Sequence, residues 1–151
     1  IGSRETPDDA LRALRTAGEL LASQGHRGRS GGARGADSAF EAGFSAVAPH
    51  LLCSYRANHA SPESLVLAAE FHPAWDRCSD YAKMLHARNG LILLGDSLNE
   101  PVDAVLCWTV GGQIKGGTGQ AMRLANARQI PIFNLALQPL DALWLWLWQQ
   151  T

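Results

Sequence analysis

Residues 27–48 read RGRSGGARGADSAFEAGFSAVA. A short strand pattern near residues 27–31 runs through a glycine-rich turn and into a helix over about Ala36–Ala48. Glycine permits backbone conformations and close approaches that other residues forbid. Gly31, Gly32 and Gly35 therefore suit either a tight strand-to-helix turn or a cradle for an anion. Phe40, Phe44 and Val47 recur at helical spacing and define the expected inner side of the helix.

The same alternation extends along the chain. Thr6-Pro7-Asp8-Asp9 reads as a helix start: Thr6 as cap, Pro7 in the first turn, and two acids matching the dipole. Leu11, Leu14, Gly18 and Leu21 share one face through about residue 24. HLLCSYRA at 50–57 reads as a strand, and residues 58–72 as an irregular connection with a short helix at Pro62–Ala69. AWDRCSDYAKMLHARN at 74–89 is a helical pattern. LILL at 91–94 fits either a strand or the tail of that helix. VDAVLCWT at 102–109 is a buried strand, the glycines at 111–119 a loop, Gln120–Arg128 a helix and IPIFNL at 130–135 a strand. Such alternation argues for an α/β fold: a Rossmann-like, doubly wound, mainly parallel sheet with helices on both faces. Residues 1–151 form one domain, and Ile1-Gly2-Ser3 reads as the end of a strand.

Composition narrows the function classes. Charged residues make up 18% and apolar residues 46%, as in a folded globular chain. A net charge of −1 supplies no global basic field for nucleic acid or anionic membrane. Cys53, Cys78 and Cys107 are far apart, odd in number and lack CxxC spacing, which implies reduced thiols and a cytoplasmic location. No apolar run approaches the roughly 18 residues that cross a bilayer, and the opening residues carry no signal-peptide pattern.

In open α/β sheets, ligands bind beyond the carboxyl ends of the strands, where loops enter helices. Three loops occupy such positions: GSRETP at 2–7, GGARGAD at 31–37 and TVGGQIKGGTGQ at 109–120. Free N–H groups and the helix dipole favour phosphate there. Standard fingerprints are missing: no GxGxxG follows the first strand, and GGQIKGG lacks the GK[ST] ending of a P-loop. There is no HExxH and no GxSxG elbow. His26, His50, His59, His72 and His86 are dispersed along the chain, so no metal site is expected.

Three motifs together resemble known families. SGGARGADSAF at 30–40 resembles the SGxARGxD stretch of the DNA-processing protein A family of recombination mediators. MLHARN at 84–89 and KGGTGQAMR at 115–123 resemble the MHxRK and PGGxGTxxE motifs of the Lonely Guy family. Both families belong to one Rossmann-like superfamily, and the likeness spans nearly the whole chain. It implies a doubly wound sheet, self-association, and a pocket for a nucleotide or nucleotide-derived molecule; no cofactor is expected. The three loops and the motifs together give the candidate ligand-binding residues Gly2, Ser3, Arg4, Gly31, Gly32, Arg34, Gly35, Asp37, Arg88, Thr109, Gly116, Gly117, Thr118, Gly119 and Gln120.

The motif also departs from its family. The glutamate that works on the N-glycosidic bond in Lonely Guy enzymes is replaced here by Arg123, and Lys115 replaces the leading proline. A guanidinium stays protonated and cannot act as a general base. Binding is therefore the first expectation. Nucleotide N-glycoside hydrolysis or transfer, with Asp37 or Glu41 as carboxylate, and a DNA-processing accessory role are the alternatives. Asp37 also reads as a cap for the helix after the glycine turn, and Arg34 as a seal over the ligand or a brace between loops. The tail carries LWLWLW at 143–148, with Leu140, Leu143, Trp144, Leu147 and Trp148 on one helical face. That face covers the core or forms a subunit interface in a homo-oligomer.

Overall fold

The computed structural model of the chain describes residues 1–150. Its helices are α1 (Asp8–Ser23), α2 (Ala36–Val47), α3 (Pro62–Glu70), α4 (Asp80–Leu94), α5 (Gly116–Ala127) and α6 (Asp141–Gln150). Its strands are β1 (Gly28–Ser30), β2 (Leu52–Ser54), β3 (Val105–Cys107) and β4 (Ile132–Asn134). The strands form two parallel pairs, β1 with β2 and β3 with β4. Beside β3 runs the opening segment, where Gly2 bridges in parallel to Trp108 and Ser3 N–H donates to Trp108 O at 3.0 Å.

Close backbone contact joins α1 to α2. A Cβ on Gly18 would lie 2.5 Å from Phe40 O, and one on Gly43 would lie 2.0 Å from Arg15 O. Only residues without a side chain let the helices meet this closely. Behind that contact Phe44 is fully buried with Ala22 and Ala48, while Phe40, Leu51 and Leu52 pack around them. A second core surrounds β3 and β4, where Leu93, Leu94 and Val105 meet Met122, Leu124 and Ile130. The end of α4 serves both sides, since Leu91 and Ile92 pack with Tyr55.

Several local expectations change in the folded chain. Thr6 does not cap α1: Pro7 holds the N-cap position and Thr6 Oγ1 donates to Ser3 O at 2.6 Å. Val47 is exposed, because the inward stripe of α2 runs through Phe40, Phe44 and Ala48 and Val47 falls to one side of it. The strand expected at 50–57 shortens to β2, preceded by a 3-10 turn at Pro49–Leu51. The helix expected over 74–89 is split. Trp75–Arg77 forms a 3-10 turn, and Ser79 Oγ then caps α4 by accepting from Ala82 N at 3.2 Å. Residues 91–94 belong to the helix, and all four side chains are buried. In α6, Leu143 is buried and Trp146 meets Phe133 at 5.7 Å between ring centroids, whereas Trp148 is 74% exposed. The inward residue is thus Trp146, not Trp148. Rotation of the helix about Leu143 puts these two, half a turn apart, on different faces.

Candidate functional site

The first two glycine loops touch directly. Gly35, the N-cap of α2, has φ +98°, and a Cβ there would meet Ser3 O at 2.6 Å and Arg4 Cα at 3.0 Å. A Cβ on Gly2 would meet Ala36 Cβ at 2.4 Å. Asp37 is buried inside the first turn of α2. The N-cap position expected for Asp37 is thus held by Gly35, two residues earlier. Asp37 Oδ2 instead accepts from Ala33 N at 3.4 Å, and Oδ1 lies 3.6 Å from the Ile1 amino group.

Two guanidinium groups close on this turn. Arg88 on α4 and Arg56, just after β2, both donate through Nη1 to Gly31 O, the latter at 3.1 Å. A Cβ on Gly31 would strike Arg88 Cζ at 2.7 Å, and one on Gly32 would overlap the Arg56 guanidinium. Burial pushes the Arg88 pKa down while nearby Asp37 pulls it up. The group remains cationic at neutral pH. Glu41 Oε2 lies 3.9 Å from Arg56, and its Oε1 accepts from Ser54 Oγ at 2.6 Å. Arg4 and Arg34 are exposed and make no ion pair among the described residues.

The third loop is attached through the residue next to Arg88. Asn89 Nδ2 donates to Gly117 O at 3.1 Å and to Gln120 Oε1 at 3.0 Å. Adjacent positions on α4 thus reach the two longer glycine loops. Helix α5 begins at Gly116 rather than Gln120, so the glycine loop supplies its first turn. No side chain caps this end. Gly119 is held by packing, since a Cβ would lie 2.7 Å from the Ile114 carbonyl carbon. Gly117 is different: its nearest neighbour to such a Cβ is His86 Cε1 at 3.9 Å, an ordinary contact distance. Thr118 is half-buried in the same first turn.

Besides Asp37, two more of the expected residues face inward. Gln120 is fully buried against Asn89. Thr109 is buried too, with Oγ1 accepting from Asn134 Nδ2 at 2.7 Å and N–H donating to Asn134 Oδ1 at 3.3 Å. They shape the loops from behind. Arg56 and Asn89 are the charged or polar groups at this site that the sequence pattern did not single out, whereas Glu41 was a candidate carboxylate. The position of Arg56 at the carboxyl end of a strand was the available signal.

The histidines are not all dispersed. His72, after α3, and His86, on α4, lie with ring centroids 4.4 Å apart, and Cys78 Sγ lies 3.6 Å from His72 Nε2. Burial pushes the His86 pKa down to about 4, helped by His72 and Arg123, and burial also lowers that of His72. The sequence separation of the three residues hid a cluster that the 3-10 turn at 75–77 brings together. Arg123 donates from Nε to Phe71 O at 2.8 Å. It braces the segment leading into His72.

Comparison of the chain with protein-family models, with curated proteins and with solved structures yields no match.

Proposed function

We propose that the glycine-loop crevice binds a nucleotide or nucleotide-derived molecule through its phosphate. Gly117 carries this reading. It has ordinary helical geometry and room for a side chain, yet glycine stands there, in an uncapped first turn. Packing gives no reason for its bareness, whereas phosphate approach to the N–H groups does. Arg88 and the half-exposed Arg56 supply cations at the neighbouring loop.

The fold proposed for this function is a Rossmann-like doubly wound sheet, with Ile1–Ser3 as the strand between the two parallel pairs. The bridge from Gly2 to Trp108 and the 3.3 Å hydrogen bond from Ile1 N to Leu106 O support it. The crevice then falls beyond the strand ends, where such sheets take ligands. Binding is favoured over bond cleavage because Arg123 cannot supply the family's carboxylate and is committed to Phe71 O. A homo-oligomer in the cytoplasm completes the proposal. Exposed Leu137, Leu145 and Trp148 favour self-association, and three free thiols favour a reducing compartment.

The test is native mass spectrometry of freshly purified protein, followed by calorimetry with the nucleoside phosphate it carries or with a panel of nucleoside mono- and diphosphates. Arg88→Met and Gly117→Val should each weaken binding by at least about tenfold, the value of one lost charged hydrogen bond. Unchanged affinity in both variants, with intact far-ultraviolet circular dichroism, overturns the assignment.

A further inference from the structure

We propose that His72, Cys78 and His86 form a binding site for one divalent transition-metal ion of the zinc class. An exogenous water or ligand would complete a four-coordinate shell. The donors follow the pattern His-x5-Cys-x7-His in the chain. Helix α4 holds His86, the 3-10 turn at 75–77 delivers Cys78, and the end of α3 leads into His72.

The geometry suits such an ion. In a tetrahedral site with bonds of about 2.0–2.1 Å to nitrogen and about 2.3 Å to sulfur, neighbouring donors sit roughly 3.4–3.6 Å apart. Cys78 Sγ lies 3.6 Å from His72 Nε2, and one donor atom from each of the three residues falls within 4.8 Å of the others. Small side-chain rotations close the remaining gap. His86 Nδ1 is buried without a hydrogen-bond partner, an unmet polar group of the kind that an ion or its bound water satisfies. Trp75 flanks both rings, at 6.1 Å from His72 and 6.4 Å from His86, and shields one side of the cluster. The ligand set of one thiolate and two imidazoles favours zinc and its neighbours over magnesium or calcium.

Two interactions oppose binding and make the claim specific. Ala74 N–H donates to His72 Nδ1 at 3.1 Å, and coordination through either ring nitrogen requires that bond to be given up. Arg123 and Lys83 add positive charge nearby, with Lys83 Nζ 5.5 Å from the Trp75 ring centre. The Cys78 thiolate is therefore required, and its proton passes to solvent when the ion binds. The site does not depend on the nucleotide reading. It shares only the edge where His86 borders Gly117.

Full-length protein titrated with Co2+ should take up one equivalent. A thiolate-to-cobalt charge-transfer band and intense tetrahedral ligand-field bands should appear, and Zn2+ should displace both. Cys78→Ser should abolish the charge-transfer band. His86→Asn should weaken Zn2+ binding by more than the roughly 10–100-fold that an outer-sphere change costs. Cys53→Ser, which removes an exposed thiol, should change nothing. In the wild-type chain, Zn2+ should shift the Ala74 amide resonance, a readout independent of any variant. Absence of the band together with an unmoved Ala74 amide would mean that the three residues are a hydrogen-bonded cluster only. A band lost in Cys53→Ser and kept in Cys78→Ser would equally refute the site.

Discussion

The loops at 31–37 and 111–120 look alike in sequence, yet their glycines are present for different physical reasons. In the first loop every glycine is crowded. Gly31 is pressed by Arg88, Gly32 by Arg56, and Gly35 by the backbone of Ser3 at a φ of +98°. In the second, Gly112 is crowded by Leu137 and Gly119 by Ile114, but at the start of α5 a Cβ on Gly116 would meet nothing within 4 Å and one on Gly117 only His86 at contact distance. Gly116 still has a backbone reason, its φ of +63°. Gly117 has neither reason. One loop is built to pack arginines and a neighbouring strand end, and the other leaves a helix terminus bare.

Substitutions at matched glycines test that contrast most sharply. Gly35→Val should cost about 3 kcal/mol or more, because a β-branched residue at this φ adds backbone strain to a collision with Ser3 O. A urea melt checks it, and a loss under about 1 kcal/mol would dissolve the distinction between the loops. The next largest effect is expected at the link between them. Asn89→Leu removes the donor shared by Gly117 O and Gln120 Oε1, at a cost of about 1–3 kcal/mol in buried, unpaired acceptors. It should also weaken the proposed nucleotide binding, because the entrance to α5 loses its anchor. A variant that melts like the wild type would show that α4 does not hold the second loop.

Gly117→Ala should act in the opposite direction on stability. Removing glycine's conformational freedom at an uncrowded helical position stabilises by roughly 0.5 kcal/mol. Nucleotide affinity should nonetheless fall, and a thermal melt paired with calorimetry reads both signs. Destabilisation with affinity unchanged would make this glycine structural, like those of the first loop. The smallest stability effect belongs to Arg4→Ala. An exposed side chain without an ion pair should shift stability by less than about 0.5 kcal/mol. Its loss should be visible only in calorimetry with a nucleotide. An unchanged binding isotherm would confine recognition to Arg56, Arg88 and the loop amides.

Much of the element order was legible because local signals agreed. Phe40 and Phe44 at helical spacing marked α2, and an unbroken apolar run marked β3. Boundaries failed where a local cue competed with another. The pattern over 74–89 reads as one helix until Ser79 is seen as a cap that starts α4 afresh. Gly116–Gly119 have low helix propensity and read as loop, yet the backbone of α5 extends through them once Asn89 holds Gly117 O. The alternation of Leu and Trp in the tail could not reveal which tryptophan turns inward. Contact with Phe133 decides for Trp146.

What the sequence by itself determined was the set of candidates: glycine turns before helices, an arginine in MLHARN, and a second arginine, Arg123, after the glycines at 116–119. Those follow from residue chemistry and spacing, which are local. Tertiary structure decided which glycine is held by packing and which is free. It also turned Thr109 and Gln120 inward, and it gathered His72, Cys78 and His86 into one cluster. The reason is that a glycine is explained by what stands near its missing side chain, and a ligand set by distances across turns. Both depend on residues far away in the chain, and no local pattern records them.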